Sequence, residues 1–555
     1  MTLPGVALLA AVLAALVTLA LARGNRDVRA VVGPAALLLV FLGALVVPVG
    51  ASVPVGGTAL VPGSELRAWF ALASGSGLVL CVVAVALEDS GNSIDSAGSI
   101  RSALAPRFIA PAILLVIASG AVAVSADASG PAILAATIAG IAAAALVEGG
   151  EESALVAEVT AVIAAAGAAA VAIGWLEASG VLGAARAVGA DVAPPDPTAF
   201  GGGAVGLAIL AATGAIAARI AAPPLHRRAI GAVNRAGPLG VPIILAWAPA
   251  LLAVVLISSI TPLDAGVANG LQVERGLVVA GALVTIGLAT LAASVQDSVR
   301  HLLAYSILAQ AAFLLLPFAA VGGDVGAGHA GTATRAWALA LVPLAASLGA
   351  IVAALEAVFG TDRVADLNGW ARRAPLLGAA LAAGAVALAW PGLGPSALRD
   401  SLVRGAVDQT LVAVVAVLGV ASVLPLLRLS VVGLRRPGGV VLGAPTGWLR
   451  PSRPSGRGPT DLRRRVAGIR AEGIRVEAVR AAALDNRILI GAAVSIVFAA
   501  ATVVVLFDPT RLTTNAAEPP AIRPGATLPA TEPSTSPGPG LQPVASPSQN
   551  PSVGP

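Results

Sequence analysis

The stretch "AIAARIAAPPLHRR", Ala215 to Arg228, sets the reading of the whole chain. An arginine, Arg219, stands in a run of Ala, Ile and Gly. Two prolines, Pro223 and Pro224, and a histidine, His226, follow at once. Proline has no N–H to donate and its ring crowds the preceding turn, so a helix running into this pair breaks there. A charge in apolar sequence has two readings. Either the helix ends and Arg219 snorkels to a membrane surface, or the charge is buried. Irregular backbone at membrane depth persists only when it is packed in protein or lines a wet cavity.

The sequence around the stretch supports a membrane setting. Of 555 residues 57% are hydrophobic and only 11% charged, and the mean hydropathy is +0.91. A soluble chain of this size needs far more polar surface, so the class is all-α polytopic membrane protein. The single cysteine, Cys81, excludes a disulfide framework and a thiolate metal site. Three scattered histidines, His226, His301 and His329, argue against a bound metal or haem. No basic patch with interleaved aromatics points to nucleic acid. All 34 basic residues are arginine.

A transmembrane helix needs about 20 apolar residues. Candidate spans centre near residues 12, 41, 77, 116, 139, 164, 211, 249, 286, 311, 346, 383, 420 and 497, about 14 in all. The first, "MTLPGVALLAAVLAALVTLALARG", lacks the positive start of a signal peptide and is longer than its apolar region, so it reads as a span. If spans alternate, most arginines fall in the segments after odd-numbered spans. The positive-inside rule then puts those segments in the cytoplasm of a bacterial cell and both termini outside its plasma membrane. The chain divides into residues 1–100 (spans 1–3), 101–262 (spans 4–8) and 263–434 (spans 9–13). An Arg-rich cytoplasmic loop (435–486), span 14 (487–508) and a Pro/Ser-rich tail (509–555) follow. The loop's second half, from Asp461, reads equally as an amphipathic surface helix or a solvated basic linker. The tail is too poor in apolar residues to build a core and reads as disordered.

Ionisable residues inside spans are functional candidates. Three further places join Arg219. "LAWPGLGPSALRDSLVRG", Leu388 to Gly405, repeats the pairing of break and charge, with Pro391 and Pro395 before Arg399 and Asp400; an outer loop is the plainer reading. In "EGGEESALVAEV", Glu148 to Val159, Glu158 enters span 6, within reach of the interface or beyond it, while Glu148, Glu151 and Glu152 read as a solvated turn. In "VQDSVRHLLAYSILAQAAFLLL", Val295 to Leu316, Arg300 and His301 mark a cytoplasmic turn, and Tyr305, Ser306 and Gln310 enter span 10. No hydrolase triad, P-loop, dinucleotide fingerprint or cysteine cluster appears.

Four blocks together resemble a known family. "QDSVRHLLAYSILAQAAFLLL" is similar to the signature of the antiporter-like membrane subunits of respiratory complex I and of Mrp-type cation/proton antiporters. "TDRVADLNGWARRAPLLGAALAAG" resembles that family's Asp-Leu-x-Gly-Leu-x-Arg-Arg-x-Pro segment before span 12. "RIAAPPLHRRAIGAVNRAGPLGVPIILAWAPALLAVV" resembles its broken span 7 and the start of span 8. "ESALVAEVTAVIAAAGAAAVAIGWLEASG" is similar to span 6 of the N-type subunit of NADH–quinone oxidoreductase.

The resemblance implies two inverted five-helix repeats, spans 4–8 and 9–13, with spans 7 and 12 broken. It implies a proton path through a buried Glu on span 5, lysines on spans 7 and 8, and a Lys or Glu on span 12. Matched to that pattern, Arg219 and Arg399 fall on the lysine positions of spans 7 and 12. The span 8 lysine falls at Pro249 or Ala250, and span 5 has no mid-membrane carboxylate. Lysine is tuned by burial to release a proton near neutral pH, whereas arginine stays protonated. The resemblance thus implies a membrane-arm subunit of a complex I-like NADH–quinone oxidoreductase whose proton path is altered or lost. The alternatives are a proton or cation/proton antiporter subunit of Mrp type and a non-transporting scaffold. It implies other membrane-arm subunits and the lipid bilayer as partners. No cofactor is expected on this chain; quinone, flavin and iron–sulfur centres belong to partner subunits. The residues for a proton path or buried charge are Arg219, His226, Glu158, Arg300, His301, Tyr305, Gln310, Arg399 and Asp400.

Overall fold

The computed structural model describes residues 26–46, 53–55, 58–60, 64–91, 109–125, 129–148, 152–179, 202–261, 271–321, 327–359, 361–390, 394–407 and 409–435. Spans 1 and 14, the Arg-rich loop and the tail lie outside these residues. Apart from a two-stranded hairpin (β1, Val53–Val55; β2, Thr58–Leu60), the described chain is helical. It is a multi-span membrane protein. Eight of its helical runs are long and apolar enough to cross a bilayer, and four shorter apolar helices, Val31–Ala44, Ile109–Ala118, Gly203–Arg219 and Pro375–Ala389, accompany them.

The helices run α1 (Arg26–Val46), α2 (Ser64–Gly91), α3 (Ile109–Ser125), α4 (Ser129–Glu148), α5 (Glu152–Ala178), α6 (Gly202–Arg219), α7 (His226–Pro242) and α8 (Ala248–Ile260). Then come α9 (Gln272–Val295), α10 (Val299–Ala311), α11 (Ala327–Phe359), α12 (Trp370–Arg373), α13 (Pro375–Ala389), α14 (Gly394–Ala406), α15 (Gln409–Ala421) and α16 (Leu424–Leu434). A π-helical turn, Ile243–Trp247, joins α7 to α8 without interruption, and α10 tightens into a 3-10 segment, Ala312–Ala319.

The break foreseen at Arg219 has a definite local cause. The N–H of Ala222 donates to Ala217 O at 2.8 Å and that of Ala221 to Ala218 O at 3.3 Å. This is the six-to-one and five-to-two pair of a Schellman motif, which caps a helix with one residue in the left-handed region. Ala221 takes that place, at φ 57°, where glycine is the usual occupant. Pro223 and Pro224 then prevent α6 from continuing, and α7 starts at His226. A second reversal comes at Gly237, at φ 65° and ψ 175°, a region open essentially to glycine alone. Gly237 thus divides α7 in two, and the run from Val233 to Ile260 is long and apolar enough to cross a bilayer, while α6 is a shorter apolar helix before it.

In lipid the hydrophobic effect does not drive helices together, so close packing and buried polar contacts take its place. α10 is the innermost helix: every residue from Leu302 to Val321 is buried. By contrast α9 turns Val273, Leu277, Val284, Leu288, Leu291 and Val295 outward. With no lysine available, arginine caps helix ends. Arg428 Nη1 donates to Ser294 O and Gln296 O at the end of α9, Arg275 Nε to Ala319 O, and Arg372 Nε to Leu434 O. These carbonyls have no intrahelical donor. Two of the quoted sequence blocks meet in space. Val299 N–H donates to Asp362 O at 2.6 Å and Val364 N–H to Asp297 O at 2.7 Å, which ties the turn before α10 to the segment after α11.

Candidate functional site

Arg219 ends α6 with 2% of its surface exposed. It does not snorkel. Its Nη2 donates to the carbonyl of Gly140, in the middle of α4, at 2.5 Å. Its charge also sits at the negative end of the α6 dipole.

Arg399, on α14, is buried to the same degree. The outer-loop reading of its segment does not hold. Its Nη1 donates to Gly419 O at 3.2 Å, its Cζ lies 5.4 Å from the centre of the Phe313 ring, and its Nε lies 4.0 Å from Asp400 Oδ1. Gly419 is in the last turn of α15, so its carbonyl belongs to the group that a helix leaves without a donor. The Ser422 hydroxyl donates to the same oxygen at 2.6 Å, and Gln310 Nε2 donates to Ser422 Oγ at 2.7 Å. Trp337 Nε1 reaches Gln310 O at 3.3 Å and packs edge-on against Phe313. One buried network thus links α10, α11, α14 and α15. Ser306 Oγ and Gln310 Oε1, one helical turn apart on α10, are buried and find no hydrogen-bond partner among the described residues.

A second polar cluster closes one end of the bundle. His301 Nε2 lies 3.0 Å from Asn234 Oδ1 on α7, and Arg300 Nε meets both oxygens of Glu356 on α11 at 2.7 and 2.8 Å. Beside Asn234, Arg235 donates to Glu148 Oε2 from Nε at 2.8 Å and from Nη2 at 2.5 Å. Glu148 corrects the reading of a solvated turn: its side chain is fully buried. The reason is tertiary. α7 approaches α4 so closely that a side chain on Gly240 would collide with Val147, and that approach covers the end of α4.

The predicted residues therefore fall in separate places. Gln310 joins Arg399 in one network, with Asp400 at its edge. Arg300 and His301 belong to the end cluster, Tyr305 is buried on α10 between the two, and Arg219 makes its own contact with α4. His226 is exposed at the start of α7. Pro223 and Pro224 lie in the interruption and Pro395 in the first turn of α14. The Glu158 side chain and Pro391 lie outside the described residues. Sequence reasoning missed Gly140, Gly419, Ser422, Phe313, Asn234, Arg235 and Glu356. Of these only Glu356, a carboxylate closing an apolar helix, carried a signal. Among the described residues no group of three His, Cys, Asp or Glu is placed to hold a metal ion.

This stretch of chain, with both buried arginines, has a counterpart. Residues 197–425 match the family model described as "NADH:quinone oxidoreductase/Mrp antiporter, TM". These residues are similar to an antiporter-type transmembrane domain. Solved structures share the fold over nearly the whole chain. One is a chain of the Mrp complex from Dietzia sp. DQ12-45-1b, at 19% identity, covering 92% of this chain and 99% of that one with a TM-score of 0.54. Another belongs to the membrane-bound sulfane sulfur reductase, an archaeal respiratory membrane complex, at 15% identity, 90% and 99% coverage and a TM-score of 0.58. A third belongs to respiratory complex I from Thermus thermophilus with bound NADH, at 18% identity, 90% and 99% coverage and a TM-score of 0.58. No curated protein sequence matches the chain. The solved chains that share this fold belong to multi-subunit membrane assemblies.

Proposed function

We propose that the chain is an N-type antiporter-like subunit in the membrane arm of a complex I-like oxidoreductase, with its lysine-based proton path lost. The observation that carries this reading is the pair of buried arginines, Arg219 and Arg399, each bonded to a glycine carbonyl beside a helix break. A proton relay passes through groups that are neutral for part of the cycle. Arginine does not lose its proton in proteins, so these two positions supply a fixed field instead of a relay. Inverted repeats over spans 4–8 and 9–13, about 14 spans and both termini outside complete the proposed architecture. Quinone, flavin and iron–sulfur chemistry falls to partner subunits. Gentle detergent purification, identification of the co-purifying chains and a quinone-reduction assay test the assignment. Flavin or iron–sulfur partners and quinone reduction are expected; co-purification with antiporter subunits alone contradicts it.

One observation favours a second reading, in which the chain moves protons or cations as an Mrp-type subunit does. Ser306 Oγ and Gln310 Oε1 are buried polar atoms without a protein partner among the described residues, and such groups are commonly met by internal water. Water held at Ser306 and Gln310, beside Ser422, would supply a route that needs no lysine.

A further inference from the structure

The two arginines share more than burial. An ideal Cβ built on Gly419 lies 2.9 Å from Arg399 Cζ, 3.0 Å from Nε and 3.1 Å from Nη2. Three atoms of one plane at nearly equal distance from one point place that point above the plane. The guanidinium therefore lies flat on the helix surface that the missing side chain leaves bare. The same glycine accepts the hydrogen bond from Arg399 through its carbonyl. In the other half, a Cβ on Gly140 lies 2.9 Å from Arg219 Nη2 and 3.3 Å from its Cζ, and again the glycine's carbonyl accepts the bond. At both glycines the nearest guanidinium atom is closer than 3.0 Å, so a side chain there moves the guanidinium, the end of a flexible chain, and the cost is the carbonyl bond and the buried place it gives up.

We propose that Gly419 and Gly140 are positioning residues that make sites 399 and 219 specific for arginine, each seating one planar guanidinium on a Cβ-free helix surface under its own carbonyl. The seat fits the shape of arginine and not merely its charge. Lysine carries a compact ammonium on a flexible stem, whereas arginine's fork is planar and stacks. A lysine keeps one bond to the carbonyl and vacates the space above the glycine. The inference goes beyond the proposed function, since it holds whichever assembly the chain joins.

Gly419 gives the cleaner test, because its three nearest neighbours are all Arg399 atoms, whereas a methyl on Gly140 also meets Ala248 Cβ at 3.0 Å. The full chain is expressed as Gly419→Ala, Arg399→Lys, the double variant, and the control Gly384→Ala, whose added methyl meets nothing within 4 Å. Membrane level and the thermal aggregation midpoint in detergent are read for each. Gly384→Ala stays at the wild-type level, and Gly419→Ala accumulates several-fold less, the usual response to a destabilisation of about 1–2 kcal/mol. Arg399→Lys also falls below wild type, and adding Gly419→Ala to it lowers the level no further, since no guanidinium is left to displace. Three results overturn the proposal: Gly419→Ala indistinguishable from Gly384→Ala, Arg399→Lys indistinguishable from wild type, or a double variant that falls below Arg399→Lys by the same factor as Gly419→Ala falls below wild type.

Discussion

Arg219 Nη2, reaching from α6, and the carbonyl oxygen of Gly140 on α4 stand 2.5 Å apart, 79 residues distant in sequence. The bond fixes the end of a helix whose backbone stops being regular at the next residue. A side chain that must hold such a break shut differs from one that shuttles a proton.

The first prediction concerns this contact. Arg219→Ala removes a charge-assisted bond and leaves the carbonyl facing a cavity, and such bonds are worth about 1.5–3 kcal/mol. Membrane accumulation of Arg219→Ala falls several-fold, while Arg219→Lys, which keeps one bond to Gly140 O but leaves the place of the guanidinium empty, falls between Arg219→Ala and wild type. Equal membrane levels of all three proteins count against the account.

Ala221 gives a prediction of the opposite sign. Its left-handed backbone at the Schellman cap costs an L-residue roughly 1–2 kcal/mol. Ala221→Gly relieves that cost, less the extra freedom glycine gains in the unfolded chain. The aggregation midpoint in detergent rises for Ala221→Gly and falls for Ala221→Val.

The end cluster makes a third case. Arg300 meets Glu356 through both carboxylate oxygens while remaining about one-fifth exposed. Arg300→Ala leaves a nearly buried carboxylate behind, so it destabilises more than the double variant Arg300→Ala, Glu356→Leu, which removes both charges. Denaturation midpoints of the two single variants and the double variant measure this coupling, and strict additivity refutes it.

How much of this was legible beforehand depends on range. The interruption at Ile220–Leu225 was readable because Pro223 and Pro224 act on their own turn. Burial of Arg399 was not, since the same prolines and glycines also describe a loop; only the packing of α14 against α15 and Phe313 decides. Glu148 was misread for a related reason. "EGGEES" has the composition of an exposed turn, and what covers its first residue comes from α7, 87 residues later in the case of Arg235. Gly140 and Gly419 carry no local mark among 63 glycines; a seat for a guanidinium exists only once two helices meet. Two of the quoted blocks fared better, because each is a short motif whose partner is also a motif, as Val299–Asp362 and Val364–Asp297 show.

Gln310 yields a fourth prediction. Gln310→Leu deletes the donor to Ser422, yet Ser422 keeps its bond to Gly419 O, so the cost stays near 1 kcal/mol. The variant accumulates at close to the wild-type level. A chain that fails to accumulate gives the network a structural weight this account does not assign to it.

The central claim, that fixed arginines have replaced a titratable path, is tested most directly by proton uptake. The complex, purified gently with its partner chains, is reconstituted into liposomes, and uptake is driven by an imposed potassium–valinomycin potential. Uptake indistinguishable from that of protein-free vesicles is expected. Sustained uptake above that background contradicts it, and its loss in Gln310→Leu assigns the flux to the neutral route through Ser306 and Gln310.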